Sequence, residues 1–302
     1  MVDRPRIIND HAKCDAAYFD SRKFLETNPE LYKKLASYLW AYHEIGQLIP
    51  QTLDNFFSGH YFPYAESYYE LENSYELLLQ GFYTYSLVAL RSVLELGLLG
   101  IYFTVGGREH IDVRPWLTSQ KRTPRRREIF DQLRILSNFK KFDKQFGLAD
   151  RISNVFNTLD RFVHRRGYRY SSTGLTISNF NQFSERSLRL CCNLMFPVVT
   201  NVIIVMLLKY PIGIRGLPIY DKFGLNGPVG GFLERRQVEL ITSIIEPSEI
   251  TLLQKLCEED PDVQKAIEYF ESLPDLTEEE LKKQSEEWDR QHPKLVELIN
   301  KD

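Results

Sequence analysis

The stretch from Ala65 to Phe103 constrains this chain more than any other. Its breakers are Gly81, Gly97 and Gly100, and its apolar residues recur at helical spacing. It is long enough for two consecutive helices, with Gly81 as the natural joint. The second half, Tyr85 to Leu96, is apolar nearly all round, the pattern of a helix in the middle of a bundle. Arg91 and Glu95 interrupt that surface. Four residues apart, they share a helix face, and a lone charge is costly to bury. They are therefore expected to form a buried structural pair, or alternatively to face Arg161 and His164 in a polar pocket of the bundle.

The rest of the chain carries the same pattern. Leu31, Leu35, Tyr38, Leu39, Tyr42 and Ile45 predict a helix over Glu26 to Ile49, ended by Pro50. Thr52 to Tyr64 reads as turns, Gly106-Gly107 as a helix stop and Val113 to Thr123 as a loop. Thr123-Pro124 starts a helix running to about Phe139, and another is expected over Leu148 to Val163. Gly167 to Asn179 is turn-like, with one short strand at most over Leu175 to Ser178. A long helix follows over Ser184 to Tyr210, bent near Pro197. Asp260-Pro261 and the capping box Thr277 to Glu280 mark helices in the tail. The expected fold class is all-α: a helical bundle over residues 1–210, a Gly/Pro-rich connector over 211–231, and a smaller acidic helical appendage over 232–302.

Composition narrows the class further. With 43% hydrophobic and 26% charged residues, the chain can bury a core and is not of disordered composition. Cys14, Cys191, Cys192 and Cys257 form no C-x-x-C pair and no disulfide framework, which fits a reducing compartment. Adjacent Cys191 and Cys192 lie in an apolar run and read as small core residues. The N-terminus lacks a signal-peptide apolar core, so a cytoplasmic location is expected. Leu87 to Val105 contains Arg91 and Glu95, and Leu190 to Leu208 is interrupted by Asn193, Pro197 and Asn201. Both are expected to be core helices rather than membrane spans. The histidines form no H-x-x-x-H pair, so neither metal nor cofactor is expected. Gly224 to Phe232 lacks the Gly-Lys-Ser/Thr ending of a phosphate loop and reads as a structural turn.

Charge is unevenly distributed. Gln120 to Tyr170 holds roughly fourteen basic against five acidic residues, and Glu249 to Asp302 roughly sixteen acidic against seven basic. Such asymmetry fits either an anionic partner for the middle or mutual attraction of two solvated faces. Within the basic region, Asn157 to Tyr170 gathers Arg161, His164, Arg165, Arg166, Tyr168, Arg169 and Tyr170 at a predicted helix end. Arg161 and His164 are three apart and lie side by side on a helix. A neighbouring cation favours neutral imidazole, which can act as a base. Arginines can grip phosphate, and Tyr168 and Tyr170 can stack on bases. The plain alternative is a helix C-terminus whose cations favour its dipole, with Gly167 as the residue that ends it. A second cluster, Arg125, Arg126 and Arg127, opposes the dipole at a helix start, so phosphate or the acidic tail is expected to hold it there.

The segments Leu90-Arg91-Ser92-Val93-Leu94-Glu95-Leu96 and Phe162-Val163-His164-Arg165-Arg166-Gly167 resemble those of uncharacterised bacterial helical proteins similar to the HEPN superfamily. The resemblance spans about Leu31 to Tyr210 and implies a helical bundle. It also implies either a metal-independent endoribonuclease of antiphage or toxin–antitoxin defence or an inactive binding module. Carried onto this chain, it places Arg161 and His164 in the catalytic role. The superfamily's nuclease motif sets four to six residues between Arg and His, whereas Arg161 and His164 have two between them. The formal match, Arg6 to His11, lies before the first predicted bundle helix. Three functions are thus carried forward: binding of RNA or another phosphate-bearing ligand, with or without cleavage; a non-catalytic scaffold that docks a protein partner or a second copy; and a membrane-associated helical protein using Leu190 to Leu208.

Overall fold

The computed structural model describes residues 11–49, 61–105, 113–176, 182–228 and 230–293, and among them the chain is all-α. Its centre is a helical hairpin. Helix α3 (Phe62–Leu79) and helix α4 (Tyr83–Tyr102) meet at Gly81, whose φ of +79° is open to glycine at little cost. The expected joint is the observed one. Buried hydroxyls tie the two helices together: Ser67 donates to the carbonyl of Val93 at 2.8 Å, and Ser74 to that of Ser86 at 3.0 Å.

Helix α4 is covered on its other sides by elements from elsewhere in the chain. Helices α1 (His11–Glu26) and α2 (Pro29–Ile45) precede the hairpin. Two short helices, α5 (Val113–Leu117) and α6 (Arg126–Leu133), then lead through α7 (Ser137–Phe146) into α8 (Leu148–Val163). After the short α9 (Ser172–Thr176), the long α10 (Glu185–Lys209) crosses the core beside α4. Leu87, Leu90, Val93 and Leu94 are wholly buried, as are Val198 to Met206 apart from Thr200. Each buried aliphatic side chain contributes roughly 1.5–3 kcal/mol. Packing is tight at Gly97, where a methyl group would meet Val202 Cγ1 at 2.7 Å and the Tyr42 hydroxyl at 2.9 Å.

Polar interruptions in the apolar helices are used inside the bundle. Asn201, fully buried on α10, accepts from Arg151 Nε of α8 at 2.8 Å. Helices α4 and α10 are long and apolar enough to cross a membrane, yet most of each is buried against other helices. Cys191 and Cys192 are buried, as the sequence implied, and burial pushes the Cys192 thiol up to about 12.

Residues 211–231 contain α11 (Ile219–Phe223) between 3-10 turns. The tail comprises α12 (Arg235–Thr242), α13 (Pro247–Glu258), α14 (Pro261–Ser272) and α15 (Glu278–Gln291). One hydrophobic cluster runs from Leu25 through the bundle to Phe270, so α12 to α14 share the core of the bundle. Their charges join it too. Glu249, buried on α13, pairs with Arg151, and Glu259 pairs with Lys141 at 2.8 Å. The basic middle and acidic tail thus attract each other within one molecule at these two points.

Several expectations are revised. Helix α1 is additional to those expected. The helix from Pro124 to Phe139 is two helices, broken between Leu133 and Ser137, and the loop from Val113 contains α5. Leu175 and Thr176 end a helical turn rather than form a strand. Residues 177–178, Gly106-Gly107, Arg6 to Asp10 and most of the Thr52 to Tyr64 segment lie outside the described residues.

Candidate anion-binding site

Helix α8 owes its shape to its own sequence. Gly147, at φ +61°, ends α7 and opens α8. Ile152, Val155, Phe156, Leu159 and Phe162 then bury one face. The remaining faces carry two polar groups, one residue apart around the helix and so about 100° from each other.

The first group centres on Asp160. It accepts from Arg126 at 2.6 Å and from Arg91 Nε at 3.3 Å, while Arg91 also pairs with Glu95 on its own helix. Arg126 reaches Asn157 at 2.8 Å. The Arg91 and Arg126 guanidinium carbons lie 5.3 and 4.5 Å from the centroid of the buried Phe156 ring. The Arg91–Glu95 pair is therefore half-buried, and the further partner of Arg91 is Asp160, which it shares with Arg126, not Arg161 or His164. The arginines around it are answered locally. Arg122 donates to both oxygens of Glu128 at 2.8 and 2.6 Å, and Arg127 lies 3.7 Å from Asp131. The Arg122 bonds, with that from the Arg125 backbone N–H, hold the Glu128 carboxyl down at about 2. Local carboxylates answer Arg122, Arg126 and Arg127, and none of them belongs to the acidic tail; among the described residues, no carboxylate lies within ion-pair distance of the exposed Arg125 side chain.

The second group is different. Arg161 and Phe162 of α8, Arg169 and Tyr170 of the following turn, and Arg186 and Arg189 of α10 line a cleft of about 500 Å³. Phe162 fixes the Tyr170 ring edge-on, with centroids 5.1 Å apart. Arg161 donates to the Tyr170 hydroxyl at 3.1 Å, and the guanidinium carbons of Arg161 and Arg169 lie 5.8 and 5.9 Å from its ring centroid. Arg189 is occupied by Glu185 at 2.8 Å and Asn28 at 3.0 Å. Among the described residues, no carboxylate lies within ion-pair distance of Arg161, Arg169 or Arg186. The turn is held by Gly174, where a methyl group would collide with the carbonyl oxygen of Tyr168.

The expected catalytic pair is not brought together over this cleft. His164 follows the last residue of α8, is exposed, and does not line the cleft. Among the described residues its side chain has no hydrogen-bond or ion-pair partner. Arg165, at φ +44°, and Arg166 are exposed beside it, as is Tyr168. None of the three lines the cleft. Arg186 and Arg189 were missed by the sequence reading. The signal was there: Arg186 in the first turn of a helix capped by Ser184, where a cation opposes the dipole, with Arg189 three residues on along the same face. Among the described residues, no group of three His, Cys, Asp or Glu side chains is placed to hold a metal ion.

No protein-family model, curated protein or solved structure matches the chain.

Proposed function

We propose that this protein binds RNA or another phosphate-bearing ligand through the arginine cleft. The observation that carries the reading is the pair Arg161 and Arg169, two like charges held around one tyrosine ring with no carboxylate between them. Like charges at such separations repel, and an anion bridging them relieves that cost. Arg186 adds a third unanswered cation to the same cleft. Guanidinium groups match phosphate geometry in bidentate fashion, and the exposed Tyr168 next to the cleft offers a face on which a base can stack. The reading includes the HEPN-like bundle and a cytoplasmic setting.

Binding is better supported than cleavage. A general base needs a partner that orients it and a place beside the reacting group, and His164 has neither within the cleft. The test is a titration of a fluorescein-labelled single-stranded RNA oligomer at several salt concentrations. Binding that tightens as salt falls, and that weakens at least fivefold in both Arg161→Gln and Arg169→Gln, is the expected result. No binding at low salt, or variants that match the parent, overturns it. Running the same RNA beside His164→Ala adds the chemistry: cleavage lost in that variant makes the cleft part of a ribonuclease.

A further inference from the structure

Between Lys34 and Arg91 the chain contains no lysine or arginine. The same stretch supplies Glu66, Glu70, Glu72 and Glu76, all on α3, and among the described residues none of them has a cation within ion-pair distance. Burial, and then the neighbouring Glu66, raise the Glu70 carboxyl above its usual range.

Beside these carboxylates, α2 and α3 leave a groove of about 330 Å³. Its floor is apolar, made by Leu39 and the buried Leu71. Its walls are aromatic. Trp40 stands edge-on to His43 with centroids 5.8 Å apart, His43 lies 5.4 Å from Tyr68, and Tyr75 closes the far end. Glu72 and Glu76, four residues apart on one face of α3, form the rim. Trp40 is 59% exposed, a large area of indole left in water.

We infer that this groove binds the guanidinium group of an arginine side chain presented by a basic peptide segment. Aromatic faces attract cations, tryptophan most strongly. The two rim carboxylates favour a cation with N–H groups to donate, which a quaternary ammonium lacks. A guanidinium is flat enough to stack on Trp40 while its edge donates to Glu72 and Glu76. A peptide suits the surface better than a free amino acid because the groove continues. Across the shared walls of His43 and Tyr68 lies a second hollow of about 360 Å³, with Tyr69 and Glu66 in its lining, so an extended chain can cross both.

The test uses the full chain and tryptophan fluorescence, read against Trp40→Phe to assign the signal. The probes are the peptide acetyl-Gly-Arg-Gly-Arg-Gly-amide, the same peptide with citrulline for arginine, free arginine, and tetramethylammonium chloride. The arginine peptide is expected to bind at least tenfold more tightly than its neutral citrulline counterpart. The double variant Glu72→Gln/Glu76→Gln, both at exposed positions, is expected to lose at least fivefold with an unchanged circular dichroism spectrum. Equal binding of the citrulline peptide, full affinity in the double variant, or tighter binding of tetramethylammonium overturns the inference. Free arginine binding as tightly as the peptide overturns the peptide as occupant.

Discussion

Asp160 of α8 and Arg126 of α6 meet at 2.6 Å, joining helices whose sequences lie on either side of α7. Because Arg91 shares the same carboxylate, one side chain fixes three helices. Asp160→Asn leaves the Arg126 guanidinium without its counter-charge and Arg91 with Glu95 alone. A hydrogen bond to a charged group contributes roughly 1.5–3 kcal/mol, so a loss of about 2 kcal/mol is expected in urea unfolding. A double cycle with Arg126→Gln should recover part of that loss as coupling between the two sites.

The Arg151–Glu249 pair should behave asymmetrically. Glu249 is almost completely buried, and one Arg151 nitrogen has no hydrogen-bond partner. Glu249→Ala strands a cation and is expected to cost about 3–5 kcal/mol. Replacing both residues, as Arg151→Met with Glu249→Leu, should restore most of that stability. A double variant as unstable as the single one would show that the pair has a value beyond its charge.

Gly97→Ala tests the contact between α4 and α10. In an open helix the change would gain about 1 kcal/mol. Here the new methyl group meets Val202 and the Tyr42 hydroxyl below 3 Å, and overpacking of this kind costs roughly 1–3 kcal/mol. Thermal melts should show a lower midpoint for the variant.

Glu128 gives a pH dependence with a definite sign. Its folded carboxyl sits at about 2 against an ordinary value of 4.5. The unfolded chain therefore takes up the proton first as pH falls. Stabilisation by Glu128 is complete above 4.5, declines below it, and is gone once pH passes through about 2. The stability difference between the parent and Glu128→Gln should shrink across that window. A difference that stays constant from pH 6 to pH 3 would show that the Arg122 bonds do not persist in solution.

Gly174→Ala probes the arginine cleft through the turn that forms part of its wall. The methyl group would meet a backbone oxygen, so the turn carrying Arg169 and Tyr170 has to shift. Helical content should be retained while affinity for the RNA oligomer falls at least fivefold. Unchanged affinity would count against the cleft as the binding site.

The fold was legible where one residue type decides the local backbone. Gly81 announced the turn between α3 and α4, and Thr277 with Glu280 announced the start of α15. Ser184 to Tyr210 likewise gave α10 to within a residue. The break between α6 and α7 was not legible, because the apolar pattern around Leu133 and Leu136 runs on at helical spacing and only packing interrupts it. The candidate site was half legible. Arg161 and Arg169 lie in one short run, but Arg186 and Arg189 reach the cleft from a separate helix, a juxtaposition that sequence spacing does not encode. Arg126 shows the opposite limit: a cation that looked available in the sequence is answered by Asp160 on another helix.

The position of α4 has a consequence for synthesis. Its hairpin partner α3 precedes it, but α10, which covers its other side, begins about eighty residues later, roughly 4–16 s at ordinary elongation rates. Throughout that interval the nascent chain carries an apolar helix with one side uncovered. The ribosome-bound intermediate therefore exposes apolar surface that the finished fold covers, the kind of surface chaperones shield.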